Sequence, residues 1–153
     1  MKTIAAKNNP DGKNGSWERG RELISEYLTE MGINENDFYI DDGSGLSREN
    51  KLSAYILTKV LLSVYNSKNW QMYRGSLAIG GVDGTNPISG DFKEEEYKGN
   101  VLGKSGSITW VMSLSGVCIT EQGDYIFSIL ANKATSRDAI NDIAKAVIDE
   151  YSN

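Results

Sequence analysis

The 153 residues of this chain contain no histidine and a single cysteine, Cys118. Ser-His-Asp and Cys-His catalysis and histidine-ligated zinc all need an imidazole, so all three are excluded. One thiol excludes an internal disulfide framework and a cysteine-built metal site, and no metal or cofactor is expected. Basic residues are also in short supply: 16 Lys and Arg face 21 Asp and Glu, a net charge of −5. Nothing there neutralises a phosphate backbone or an anionic bilayer, so neither nucleic acid nor a membrane surface is an expected partner. Apolar runs fall well short of the roughly 20 residues that span a bilayer. Met1 to Ala6 is too short for a secretory h-region, so no export address is read in the chain as written. The length fits one core.

Between these absences the chain reads as an alternation of helices and strands. Residues 7 to 15 gather Asn, Pro, Asp and Gly, which favour a surface loop. Ser16 is placed to cap a helix whose Trp17, Leu23, Ile24, Tyr27, Leu28 and Met31 recur at helical spacing, and Gly32 ends it. Phe38-Tyr39-Ile40 reads as a short strand entering the turn Asp41-Asp42-Gly43-Ser44-Gly45. Asn50 is expected to cap a second helix running to about Asn66, the most buried one, with Leu52, Ile56, Leu57, Val60, Leu61 and Val64 on a broad apolar face. From Trp70 to Asn100 glycines and Pro87 punctuate the chain, and mostly irregular structure is expected.

The last third has the clearest pattern. Residues 101–107, 110–120 and 125–132 are rich in β-branched, aromatic and small residues, and Glu121-Gln122-Gly123-Asp124 has turn chemistry. The latter two segments should pair as an antiparallel hairpin. Thr135 or Ser136 then caps a final helix with Ile140, Ile143, Ala144, Val147, Ile148 and Tyr151 on one side. The fold class is α+β, an antiparallel sheet of at least three strands flanked by helices.

Gly99-Asn100-Val101-Leu102-Gly103-Lys104-Ser105 has three residues between its glycines where a phosphate-cradling loop needs four, and it leads into a strand instead of a helix. Nucleotide binding is therefore not indicated. Lys104-Ser105-Gly106 followed by Ser107 and Ile108 reads by itself as an exposed lysine before a turn, but it also resembles the strand-borne Lys-Thr/Ser-Gly triplet of the penicillin-recognising enzymes, which implies a strand that receives a carboxylate. The lysine brings positive charge, the hydroxyl donates a hydrogen bond, and glycine keeps the strand edge open. Ser44 and Ser47 lie among glycines but lack an activating base, so they read as turn and helix-entry residues. Asp42 and Arg48 either pair or remain solvated, Cys118 reads as an inert buried thiol, and Ser67-Lys68-Asn69 reads as a helix end. Trp110 either packs in the strand core or lines a pocket beside the triplet.

Five segments occur in one order: Gly15-Ser16-Trp17, the block from Asp42-Gly43-Ser44-Gly45-Leu46-Ser47-Arg48 to Asn50, Gly81-Val82-Asp83-Gly84-Thr85, Gly103-Lys104-Ser105-Gly106-Ser107-Ile108, and Leu114-Ser115-Gly116. Together they resemble the C-terminal part of the D-alanyl-D-alanine carboxypeptidase/endopeptidase family, the class C low-molecular-mass penicillin-binding proteins of peptidase family S13. The resemblance implies part of a penicillin-binding/beta-lactamase-like transpeptidase domain spanning residues 1–153, with 1–15 as a loop and the tail of a preceding helix. It also implies a serine-type hydrolase of peptidoglycan peptides ending in D-Ala-D-Ala, acting in the periplasm or outside the cell, with beta-lactams as ligands of the completed site. Carried over to these positions, Lys104 and Ser105 bind the substrate carboxylate, Gly106 and Ile108 flank it, and the Ser107 N–H serves the oxyanion hole.

The family's nucleophile is a serine with lysine three residues on, and no serine here meets that spacing. The family's Ser-x-Asn motif precedes the Asp-Gly-Ser-Gly-Leu block, so it is expected upstream of Met1. The chain alone is thus expected to be inactive. The alternatives are a non-catalytic D-Ala-D-Ala-binding or scaffold module, or an inactive gene fragment. A face left without its partner half should promote self-association.

Overall fold

The computed structural model describes residues 1–10, 12–84 and 88–152. Thr85 and Pro87 lie outside the described residues. The chain divides into two compact units, Met1–Ile56 and Leu57–Asn153, where its length alone implies one.

In the first unit, α1 (Lys2–Lys7) is followed by α2 (Trp17–Glu30). Ser16 caps α2 by accepting the Arg19 N–H at 3.0 Å. Past the end of α2, Gly32 takes a left-handed φ of 76°, as a helix-terminating glycine does. The expected strand at Phe38-Tyr39-Ile40 is reduced to one antiparallel bridge, Tyr39 to Lys51, preceded by a 3₁₀ turn at Glu35–Asp37. Asn50 does not cap the next helix. Its side chain accepts the Asp41 N–H at 2.8 Å and donates to Asp42 at 2.6 Å, so it is committed to the turn behind it. The cap is Ser53, which accepts the Ile56 N–H at 3.2 Å, and α3 spans Ala54–Tyr65.

Helix α3 is the most apolar helix, and among its residues only Tyr55, Leu62 and Ser63 are exposed. Ile56 and Leu61 are buried, whereas Leu62 is 46% and Tyr55 66% exposed. Apolar composition marks a helix as needing cover, but it cannot supply the covering element.

The second unit is built on a four-stranded antiparallel sheet in the order β1 (Ala78–Ile79), β2 (Val101–Ile108), β3 (Val111–Thr120), β4 (Gly123–Asn132). The region from Trp70 to Asn100 is mostly irregular, but it also supplies β1 and two short helices, α4 (Trp70–Arg74) and α5 (Ile88–Asp91). β2 pairs with β3 from Val101↔Cys118 to Ile108↔Val111, and β3 pairs with β4 from Val111↔Asn132 to Thr120↔Gly123. Such uninterrupted registers leave the side chains alternating strictly between the two faces.

One face is closed by α6 (Asp138–Tyr151). Ser136 accepts the Asp138 N–H at 3.1 Å just ahead of this helix. Val101, Leu114 and Cys118 of the sheet meet Ile140, Ala144 and Ile148 of α6, together with Ile88 and Phe92. Ile143, expected on the same side, is 51% exposed because it sits one residue from Ala144 and turns away from the sheet. Tyr151 stacks on Tyr125 with ring centroids 4.2 Å apart, fixing the end of α6 against β4. Lys145 bridges to Glu94 at 2.7 Å and lies over the Tyr97 ring, holding the segment that feeds β2.

Ile148 is 2% exposed at the centre of this core. Ile148→Ala should cost about 2–5 kcal/mol, through lost transfer energy and the cavity left behind. Urea denaturation should show a lower midpoint at an unchanged slope.

Candidate functional site: the open edge of the second strand

The Lys-Ser-Gly triplet lies within β2, and its surroundings follow from how little of β2 is paired on its outer side. β1 covers only Leu102 and Gly103, through Ile79↔Leu102 and Ala78↔Gly103. Gly80 extends this cover by one bond, donating its N–H to the Val101 carbonyl at 2.7 Å. Among the described residues, no backbone group pairs with residues 104–108 on that side.

The Gly80 bond also fixes which groups face outward. Since the Val101 carbonyl points toward β1, two-residue alternation turns the backbone N–H and C=O of Ser105 and Ser107 to the same side, into the open edge. The Ser107 N–H is thus an available donor. Lys104 is exposed, and its ammonium turns along the strand to donate to the Ser105 carbonyl. Among the described residues no carboxylate lies within ion-pair distance of it.

Side chains are divided between the faces. Lys104 shares its row with Ser115 and Ser128, while Ser105 shares a row with Leu114 and Ile129 on the α6 side. The register runs through 104–108 without a bulge, so Lys104 and Ser105 stand on opposite faces of the strand.

A Cβ at Gly106 would lie 2.5 Å from the Ser113 hydroxyl oxygen and 3.8 Å from the Ser113 Cβ, so a side chain there would require the Ser113 hydroxyl to turn away. Ile108 is half-buried and pairs with Val111 beside the turn. Trp110 belongs to the turn between β2 and β3 and not to a strand, and at 58% exposure it is not packed in the core. Its φ is +67°, and the Ala134 N–H donates to its carbonyl at 3.2 Å. Sequence reasoning had no means of placing Trp110 here, because the turn of the hairpin carries neither Gly nor Asn at that position.

Other candidates serve the scaffold. Asp42 accepts hydrogen bonds from the Ser44 hydroxyl at 2.5 Å, the Asn50 amide at 2.6 Å and the backbone N–H groups of Gly45 and Ser47. These bonds, that from Ser44 foremost, lower its pKa to about 2. Ser44 and Ser47 are thereby turn residues. Ser67 donates to the Val64 carbonyl at 2.8 Å at the end of α3, a helix-end role. Burial pushes the Cys118 thiol up to about 12, so it stays protonated and inert.

A model described as D-Ala-D-Ala carboxypeptidase 3 (S13) family matches residues 1–151. The chain belongs to this family. It is 30% identical over 146 residues to a D-alanyl-D-alanine carboxypeptidase of Actinomadura sp., covering 90% of this chain and 27% of that protein. To a penicillin-sensitive carboxypeptidase A of Dictyostelium discoideum it is 35% identical over 143 residues, covering 87% of this chain and 26% of the relative. The chain therefore spans about a quarter of the length of these relatives. Its fold matches the crystal structure of penicillin-binding protein 4 from Haemophilus influenzae, complexed with a beta-lactam, with a TM-score of 0.80 at 24% identity. That match takes in 99% of this chain and 37% of the other.

The Asp42 turn generates a pH prediction. Its folded pKa lies below the unfolded value of about 4, so its stabilisation is complete above that pH and is lost as pH falls through about 2. The stability difference between the wild type and Asp42→Asn, measured by urea denaturation, should be largest at neutral pH and shrink steadily below pH about 4.

Proposed function

We propose that this chain supplies the carboxylate-binding strand of a serine-type D-Ala-D-Ala carboxypeptidase acting on peptidoglycan stem peptides. Residues 1–153 then form the C-terminal portion of the catalytic domain, with 1–15 as the loop and the tail of a preceding helix. The observation that carries this reading is the edge at 104–108, open among the described residues, with the Lys104 ammonium turned to the Ser105 carbonyl, no described carboxylate within ion-pair distance of it, and the Ser107 N–H directed outward.

A peptide can add to such an edge as a further strand, its backbone held by Ser105 and Ser107 and its terminal carboxylate by the Lys104 ammonium and the Ser105 hydroxyl. The Ser107 N–H is one of the two donors that stabilise a tetrahedral oxyanion. The other donor belongs to a nucleophilic serine, and no serine of this chain has the lysine three residues on that would activate it. The chain alone binds without cleaving. Membership of the family supports action outside the cytoplasmic membrane. The beta-lactam held by penicillin-binding protein 4 supports the same ligand class for the completed site.

The absent nucleophile also favours a second reading, a D-Ala-D-Ala-binding module with no catalytic role. The two share a binding prediction and part over acylation. Titration with a peptide ending in D-Ala-D-Ala should saturate, and Lys104→Ala should weaken binding by about 10- to 100-fold, the worth of a charged hydrogen bond. Labelled penicillin should leave no covalent adduct on this chain by itself. Adduct formation in the presence of the nucleophile-bearing part of the enzyme, dependent on Lys104, selects the carboxypeptidase. Its absence with peptide binding intact selects the module.

We also infer self-association through uncovered apolar surface. Leu62, Met72 and Val82 are exposed, and β4, ten residues long and last in the sheet, has a free outer edge among the described residues. Sedimentation should show a concentration-dependent rise in mass, and a strictly monomeric chain at high concentration would contradict this.

A further inference from the structure

We propose that Asn14-Gly15 is a self-modification site: the Asn14 side-chain amide closes on the next backbone nitrogen, and the isoaspartate that results unseats α1 from α2. The inference concerns the first unit alone and is independent of the edge-binding reading above.

The fold imposes both members of this pair. Asn14 has a left-handed φ of 58°, a conformation that Asn adopts more readily than most residues with a side chain. Gly15 lies directly against α1. A Cβ there would stand 1.9 Å from the Lys2 carbonyl oxygen and 2.6 Å from the Ala6 nitrogen, so any other residue would push the helix away. Gly20 within α2 makes room for Met1 in the same way, since its Cβ would lie 2.9 Å from that of Met1. The buried Ala5 and the Lys2 ammonium over the Trp17 ring complete the contact. Seating α1 thus requires the one Asn-Gly step in the chain, and glycine is the residue that offers least steric resistance to ring closure.

The reacting groups are free as well. Among the described residues, neither the Asn14 side chain nor the Gly15 N–H takes part in a hydrogen bond, although the Asn14 carbonyl accepts from the Asn9 side chain at 3.4 Å. Asn14 is exposed, and residues 13–16 belong to no helix or strand. Asn66-Ser67 is the contrast. There the following N–H is held by the Val64 carbonyl at 3.0 Å.

In the reaction the Gly15 nitrogen attacks Cγ of Asn14. An N–Cγ bond forms, and the side-chain nitrogen leaves as ammonia, taking up the Gly15 amide proton. Water then opens the cyclic imide at either carbonyl. Breaking the new N–Cγ bond leaves aspartate at position 14, with the main chain unaltered. Breaking the original peptide C–N bond leaves isoaspartate, whose main chain runs through Cβ and Cγ and is one carbon longer. Each product carries an added carboxylate. Gly15 has no clearance from α1, so the longer chain cannot keep the contact.

The test stores the full chain at mildly alkaline pH and physiological temperature and maps its peptides by mass spectrometry. Isoaspartate should appear at position 14 before any other position, Asn66 included. Asn14→Gly, which suits the left-handed backbone and has no amide to react, should abolish that signal. In the isolated isoaspartate form, the N–H groups of Ala5 and Asn8, which donate to Met1 and Ile4, should exchange hydrogen about 5- to 30-fold faster than in the fresh chain. Freshly purified Asn14→Asp has the added charge without the longer main chain and should exchange as slowly as the fresh wild type. Isoaspartate appearing first elsewhere, or not at all at position 14, overturns the site. Isoaspartate at position 14 with unchanged exchange in α1 overturns the unseating. Equally fast exchange in stored Asn14→Gly traces the loosening to another lesion and also overturns the proposal.

Discussion

Everything distinctive about this molecule depends on a mismatch in strand length. β2 has eight residues and β1 only two, so β1 pairs with the start of β2 and, among the described residues, leaves the outer side from Lys104 to Ile108 open. A partly covered edge differs from a wholly free one. The covered part, anchored by the bond from Gly80 to Val101, fixes which backbone groups of β2 face outward and allows an incoming chain only one direction. Unpaired backbone groups on an exposed edge are normally a hazard for aggregation. Here the edge is short, and a lysine stands at its entrance.

The rest of the second unit keeps that edge straight. β3 runs behind β2 without a bulge, and Gly116 allows the two strands to close up, since a Cβ there would lie 1.9 Å from the Leu102 carbonyl oxygen. Behind the sheet, α6 closes one face with Ile140, Ala144 and Ile148, and Cys118 is locked into that contact with its thiol beside the Ala144 carbonyl. A well-packed, fully apolar core of this kind resists deformation. The alternation of side chains along β2 is therefore rigidly set, with Lys104 and Ser105 on opposite faces.

Much of this was legible in the amino-acid pattern. The three long strands, the Glu121-Gln122 turn, the Ser16 cap and the buried row of α6 all announce themselves through local chemistry: β-branched alternation, turn formers, a hydroxyl before a helix and a 3.6-residue period. The Lys-Ser-Gly triplet was also visible, and its family kinship rested on the order of several short blocks. Other features misled because two partners competed for one residue. Asn50 has the chemistry of a cap, yet the Asp42 turn claims it, and Ser53 takes over three residues later.

The sequence by itself determined the three long strands, the fold class and the family, since each of these is written in residue identity and near-neighbour spacing. Only the tertiary structure decided that the triplet lies on an open edge, that the Ser107 N–H faces outward, and that Trp110 stands exposed in a strained turn. Those properties depend on which strand pairs with which and over how many residues. Contacts between Ala78 and Gly103, or between Trp110 and Ala134, join residues more than twenty positions apart, and no local preference records them.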